Sequence, residues 1–200
     1  GKPFLSYFLK NLACQGAKNF VFSIFHGAQK IQTYLSTSGI EDLLGVKTQC
    51  VVEPKPLGTG GAIANCREYI GEGTCCVING DLLTSLRVDE MLTAHKEAGT
   101  LASISLWEVE DPSRFGVADY DSESTRICRF QEKPPREDAY SNLINAGTYL
   151  LESEVFNRMP EGAFSMERVV FPVLAEEGEL SGFPFEGHFV DAGTPASYLE

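Results

Sequence analysis

The sequence predicts an α/β fold: a doubly wound, mainly parallel but mixed sheet with a small antiparallel insertion. Three observations lead there. Short apolar, β-rich runs alternate with helical patterns over the first hundred residues, which is the signature of βαβ units. The pattern then changes to two strand-like runs flanking a short polar turn. With 43% apolar residues in a chain of 200, there is enough material for one full core, and no repeat or low-complexity linker divides it. We read residues 1–200 as a single domain.

Each element follows from its pattern. Phe4, Leu5, Phe8, Leu9 and Leu12 recur at helical spacing and Gly16 follows as a stop. FVFSIF (20–25) reads as strand, AQKIQTYL (28–35) as helix, KTQCVVE (47–53) as strand and GAIANCREYI (61–70) as helix. CCVING (75–80) is a short apolar run of the kind buried in a parallel sheet, with Cys75 and Cys76 as inert core residues. VDEMLTAHKEA (88–98) is helical and LASISLWEV (101–109) a strand. FGVADYD (115–121) and RICRFQEK (126–133) flank DSES as an antiparallel hairpin, and NLINAGTYLLE (142–152) is a further strand. Residues 165–178 are helical with a kink expected at Pro172, and two short strands near 180–186 and 188–191 follow.

Composition excludes several functions. A net charge of −12 disfavours a nucleic-acid partner, since one polyanion repels another. The charge is uneven: residues 1–50 carry +3 and residues 51–200 carry −15. An acidic protein that handles phosphates needs local cations, backbone N–H groups or a metal. No apolar run approaches the roughly 20 residues that span a bilayer, so no membrane partner is expected. The first residues lack the basic and small-residue features of a signal peptide, and six scattered cysteines fit neither a zinc knot nor a disulfide framework. A reducing cytoplasm is the expected location.

Four segments could carry chemistry. EPKPLGTGGAI (53–63) sets three glycines between a strand and a helix, where backbone can approach a phosphate and helix N–H groups point outward; an ordinary strand–helix turn would look the same. INGD (78–81) ends a strand, and in open α/β sheets ligands sit beyond strand carboxyl ends. Asp81 can therefore hold Mg²⁺, or simply close a turn and cap a helix. In FVDAGT (189–194), Asp191 is by itself a turn former, but with Asp81 it makes the carboxylate pair that a phosphate-bridging Mg²⁺ favours. In QEKP (131–134), Lys133 can meet a substrate phosphate and Glu132 sugar hydroxyls, or the two are a surface pair at a strand end. His26, His95 and His188 share no ligand spacing, and no serine has a G-x-S-x-G context.

The order of these motifs is more specific than any one of them. GKPFLSYFLKNL, EPKPLGTGGAI, NGD, FGV, EKP, INAG and DAGTPASYL together resemble the sugar nucleotidyltransferases over the whole chain. GKPFL with PLGTGGAI is most similar to the D-glycero-D-manno-heptose 1-phosphate guanylyltransferases, with the mannose-1-phosphate guanylyltransferases next. The resemblance implies a nucleotide-diphospho-sugar transferase-like fold. It also implies transfer between an NTP, by likeness GTP, and a heptose or mannose 1-phosphate, with Mg²⁺, giving NDP-sugar and pyrophosphate. By the same resemblance Glu53 and Gly58 contact the nucleobase in a pocket that the turn around Pro56 shapes, Asp81 and Asp191 hold the metal, Gly116, Glu132 and Asn145 the sugar, and Lys133 the sugar phosphate. A homo-oligomer is compatible with all of this.

One departure bears on activity. The family's glycine-rich signature loop, with its arginine and lysine, has no match here, and the chain reads as truncated at both ends. The rival expectation is accordingly a non-catalytic module that binds nucleotide or sugar phosphate. A glycosyltransferase of similar architecture would show D-x-D, whereas Asp81 is followed by Leu82 and Leu83.

Overall fold

The computed structural model describes residues 3–193. Helix α1 (Phe4–Cys14) leads to β1 (Asn19–Ile24), α2 (Ala28–Thr37), α3 (Ile40–Leu44), β2 (Lys47–Val52) and α4 (Gly58–Asn65). Then come β3 (Cys75–Ile78), β4 (Leu82–Thr84), α5 (Val88–Ala98), β5 (Ala102–Glu108) and the hairpin β6 (Gly116–Asp121) and β7 (Arg126–Glu132). The chain continues through β8 (Leu143–Leu151), α6 (Phe171–Glu176), β9 (Leu180–Pro184) and β10 (Phe189–Asp191). The α/β class and the mixed sheet are as the sequence predicts. No helix among the described residues is long and apolar enough to cross a membrane.

Six strands form the main sheet in the order β3-β8-β5-β9-β7-β6, and β1 pairs in parallel with β2 beside it. β8 lies antiparallel between β3 and β5, which therefore share a direction without touching. β5 and β9 are parallel neighbours. The core is built where α6 and the preceding wide turn of helix over Met166–Val170 cover the sheet, with Tyr149, Phe171, Ile104, Leu106, Met166 and Leu174 fully buried. Such burial stabilises by about 25 cal/mol per Å² of apolar surface.

Three local expectations need correction. β3 is half-buried and Cys76 exposed: among the described residues β3 pairs on one side only, antiparallel with β8. Burial still pushes the Cys75 thiol up to about 11, which keeps it unreactive. The helix expected over 61–70 starts at Gly58 and breaks after Asn65 into a short tight turn, Arg67–Tyr69. The helical stretch runs without a break from Met166 to Glu176, and the irregularity expected at Pro172 takes the form of a wide turn over Met166–Val170, just before the ring that has no N–H to donate.

The path of β8 positions the site. On one flank β8 pairs with β5 throughout, but two residues of β5 (Ile104 to Leu106) step past four of β8 (Asn145 to Tyr149), so β8 bulges between them. On the other flank β3 pairs with residues 148–151 and β6 joins only at Ile144. Residues 145–147 are left facing a gap between the end of β3 and the start of β6.

Candidate functional site

The gap is lined by the motifs that the sequence singles out. Beyond β3, Asn79-Gly80-Asp81 makes a turn closed by Leu82 N–H donating to the Asn79 carbonyl at 3.4 Å. β4 follows at once, so Asp81 caps no helix. β4 pairs antiparallel with β10, placing Asp191 opposite Leu82, and Ala192 N–H donates to the Asp81 carbonyl at 2.9 Å.

Both aspartates meet at Gly193. A Cβ on that glycine would lie 2.9 Å from Asp191 Oδ1 and 2.9 Å from Asp81 Oδ2, so the two carboxylates share a cradle that only glycine leaves open. Asp191 Oδ1 also accepts from Gly193 N–H at 2.9 Å, so its turn-forming role and its place in the pair coexist. Two carboxylates with no imidazole or thiol suit a hard cation that completes its shell with water and phosphate. Among the described residues no group of three or more His, Cys, Asp or Glu side chains clusters as a cage.

The floor of the gap is the Asn145–Gly147 bulge. Gly147 has φ +71°, and a Cβ there would strike Leu82 Cδ1 at 2.7 Å and Asn79 Nδ2 at 2.8 Å. Asn79 N–H donates to the Gly147 carbonyl, which joins the aspartate turn to the bulge. Asn145 turns its amide inward: Oδ1 accepts from Gly147 N–H at 2.8 Å and Nδ2 donates to the Tyr149 hydroxyl at 3.0 Å.

The far wall is the β6–β7 hairpin, where Gly116 opposes Glu132. A Cβ at Gly116 would meet the Phe130 ring at 2.4 Å and Glu132 Oε2 at 3.1 Å, so this glycine keeps the carboxylate in place. Lys133 follows with φ +51°, a left-handed backbone that costs a lysine on the order of 1 kcal/mol. The Lys133 N–H donates to the Phe115 carbonyl at 2.9 Å, and its exposed ammonium lies 3.3 Å from Glu132 Oε1. Among the described residues no hydrogen bond or ion pair ties Lys133 to the aspartate pair; the hairpin that carries Lys133 meets β8 at Ile144, and the turn that carries Asp81 meets β8 at Gly147.

The glycine-rich segment behaves differently from the phosphate-cradle expectation. The N–H groups of Gly60 and Gly61 both donate to the Phe164 carbonyl, at 3.0 and 3.2 Å, so these donors at the start of α4 are already engaged. A Cβ at Gly58 would lie 2.6 Å from the Phe164 carbonyl oxygen and one at Gly61 2.5 Å from that of Gly162. These glycines admit the 162–164 backbone against the start of α4. Glu53 braces the segment, accepting from Leu57 N–H at 3.0 Å and the Ser23 hydroxyl at 3.2 Å, while Pro56 is exposed at the lip.

Sequence reasoning missed Thr59, Tyr149 and Glu167, a hydrogen-bonded chain behind the bulge. The one local hint was the Ser165-x-Glu167 pattern opening the helical stretch, with Ser165 capping Arg168 N–H at 3.2 Å.

Comparison with known proteins gives the family. The nucleotidyl transferase family matches residues 1–200. The chain is similar to a mannose-1-phosphate guanylyltransferase catalytic subunit beta of Danio rerio, 32% identical over 99% of this chain and 54% of the relative. It is likewise similar to a mannose-1-phosphate guanylyltransferase of Mycobacterium tuberculosis, 33% identical over 100% of this chain and 55% of the relative. The chain thus spans about half the length of these curated relatives. Among solved structures it resembles HddC from Yersinia pseudotuberculosis complexed with GMP-PN, with a TM-score of 0.80 and 31% identity over 100% of this chain and 84% of the other.

Proposed function

The chain belongs to the nucleotidyl transferase family, and from that premise we propose that it joins an NTP to a sugar 1-phosphate, releasing pyrophosphate and forming an NDP-sugar. GTP and mannose or heptose 1-phosphate are the proposed substrates; the relatives' names support guanine and mannose. We also place the protein in a reducing cytoplasm, a reading supported by its six free cysteines. The single observation that carries the reading is the meeting of the Asp81 and Asp191 carboxylates at Gly193.

In the reaction an oxygen of the sugar 1-phosphate attacks the α-phosphorus of the NTP in line, and the bond from that phosphorus to the bridging oxygen of the leaving pyrophosphate breaks. The protein's task is to align two anions and offset their repulsion. Two unit charges about 4 Å apart repel by roughly 4 kcal/mol at an effective dielectric near 20. A Mg²⁺ held by Asp81 and Asp191 supplies charge neutralisation on the triphosphate when bound. Lys133 grips the sugar 1-phosphate, Glu132 accepts hydrogen bonds from sugar hydroxyls, Asn145 both accepts and donates them, and Gly116 keeps the wall close. Glu53, Pro56 and Gly58 shape the nucleobase side.

The test is pyrophosphate release from a panel of NTPs with mannose, heptose and glucose 1-phosphates, with Mg²⁺ and with EDTA, beside calorimetric titration of each ligand. GTP with one sugar 1-phosphate should release pyrophosphate only with Mg²⁺, and Asp81→Asn should abolish the Mg²⁺-dependent part of GTP binding. Mg²⁺ dependence unchanged in Asp81→Asn removes the metal assignment. Binding of both ligands by the wild-type protein without release would instead favour a non-catalytic module.

A further inference from the structure

Behind the bulge of β8 lies a buried carboxylate that the proposed chemistry does not use. Glu167 is 9% exposed and accepts three hydroxyl donors: Thr59 Oγ1 and Ser165 Oγ on Oε2, both at 2.6 Å, and the Tyr149 hydroxyl on Oε1 at 3.2 Å. Tyr149 is 1% exposed, its ring held edge-on against Phe171 with centroids 4.9 Å apart. A carboxylate can only accept, so the Tyr149 hydroxyl must give its single proton to Glu167. The same oxygen must then accept from Asn145, which forces Nδ2 toward Tyr149 and leaves Oδ1 to accept from Gly147 N–H. Glu167 therefore sets the direction of every hydrogen bond out to the Asn145 amide. At its other end it holds Thr59 of the glycine-rich segment, whose hydroxyl also accepts from Met166 N–H at 3.0 Å.

Resting on the transferase reading, we propose that Tyr149 and Glu167 are positioning residues that orient the Asn145 amide for the sugar 1-phosphate and, through Thr59, couple that orientation to the nucleotide side. The amide keeps one N–H and one lone pair beyond those bonds, and the fixed polarity decides which sugar hydroxyl can donate and which must accept. Without the Tyr149 hydroxyl, Asn145 Nδ2 loses its acceptor, and the Gly147 N–H alone is left to hold the amide at Oδ1. The amide then swings about that one bond, and the sugar meets a displaced N–H or pays the cost of ordering it. The transferase reading places Asn145 on the sugar side, so the expected defect is selective. Loss of the charge on Glu167 acts at both ends of the chain.

Steady-state kinetics of guanylyl transfer from GTP to mannose 1-phosphate in the full chain tests this. Tyr149→Phe, which keeps the ring against Phe171, should raise KM for mannose 1-phosphate about tenfold and leave KM for GTP within about twofold, the size expected of one lost hydrogen bond. Glu167→Gln should raise both KM values, Thr59→Val chiefly that for GTP, and Thr59→Ser should restore wild-type values. The relay is overturned if Tyr149→Phe raises both KM values equally, or lowers only the melting temperature while both stay unchanged. A wild-type protein without pyrophosphate release in the presence of mannose 1-phosphate overturns the transferase reading and the relay together; an active wild type with an indifferent Tyr149→Phe overturns the relay alone.

Discussion

Lys133 holds a backbone conformation that a lysine adopts only when its surroundings impose it, here the Phe115 carbonyl and the β6–β7 register. The strain turns the ammonium over the strand end beside Glu132, where a phosphate can replace the carboxylate as its partner. Lys133→Ala should therefore raise KM for the sugar 1-phosphate by at least tenfold and leave KM for the NTP nearly unchanged, and initial-rate measurements with each substrate varied check it; equal effects would contradict the phosphate role. At this scale the sequence was informative about identity and silent about conformation. Asp81, Asp191, Lys133 and Asn145 stand in short motifs whose order is recognisable. The cradle at Gly193, the left-handed Lys133 and the polarity imposed by Glu167 arise from contacts between residues far apart in the chain, and no local pattern encodes them.

Among the elements, α4 shows how one composition serves two readings. Three glycines before a helix suit a phosphate loop, but here they let the 162–164 backbone lie against the helix, and the Phe164 carbonyl takes the N–H groups of Gly60 and Gly61. Gly61→Ala decides between the two. Alanine improves helix propensity by about 1 kcal/mol, yet its Cβ would stand 2.5 Å from the Gly162 carbonyl oxygen and 2.9 Å from Leu57 Cβ, neither able to move freely. Overpacking of this kind costs about 1–3 kcal/mol, so the variant should be destabilised in a urea melt. A variant as stable as the wild type would show that the segment is loose and its glycines are kept for a ligand. Strands and helices with strong periodicity were legible to within a few residues: α1, β1, α2, β5 and the β6–β7 hairpin all stand where the sequence puts them. α3 and β4, with five and three residues, were not, because such short elements carry no period and exist through their partners.

The whole molecule is drawn together by a buried polar cluster on the side of the sheet that α5 covers. His95, 2% exposed, meets Ser103 Oγ through Nδ1 at 2.6 Å and Glu152 Oε1 through Nε2 at 2.9 Å. Ser103 bonds Ser181 Oγ at 2.5 Å, Ser181 bonds the Thr100 hydroxyl at 2.9 Å, and Thr74 donates to Glu152 at 2.6 Å. One cluster thus ties α5 to β5, the end of β8, β9 and the entry to β3. Ser103 next to a histidine and a carboxylate has the elements of a nucleophile, but at 2% exposure no substrate reaches it, and the role is structural. Burial pushes the Glu152 carboxyl up, but the Thr74 hydroxyl, the His95 hydrogen bond and the charges of His95 and Lys96 outweigh it, holding it below its usual 4.5. A carboxyl whose folded value is depressed contributes stability that is complete above the unfolded value and is lost as pH falls through the folded one. Glu152→Gln should accordingly lower Tm at pH 7 by a few degrees, about 1–2 kcal/mol for a charged hydrogen-bond acceptor in a chain of this size. The difference from wild type should shrink as pH falls below about 4.5, where the wild-type carboxyl takes up its proton and the two proteins become alike. Thermal melts between pH 3 and 8 measure this directly. Tm curves that stay parallel down to pH 3 would mean that the charge of Glu152 contributes nothing, and that His95 is held by packing against the sheet alone.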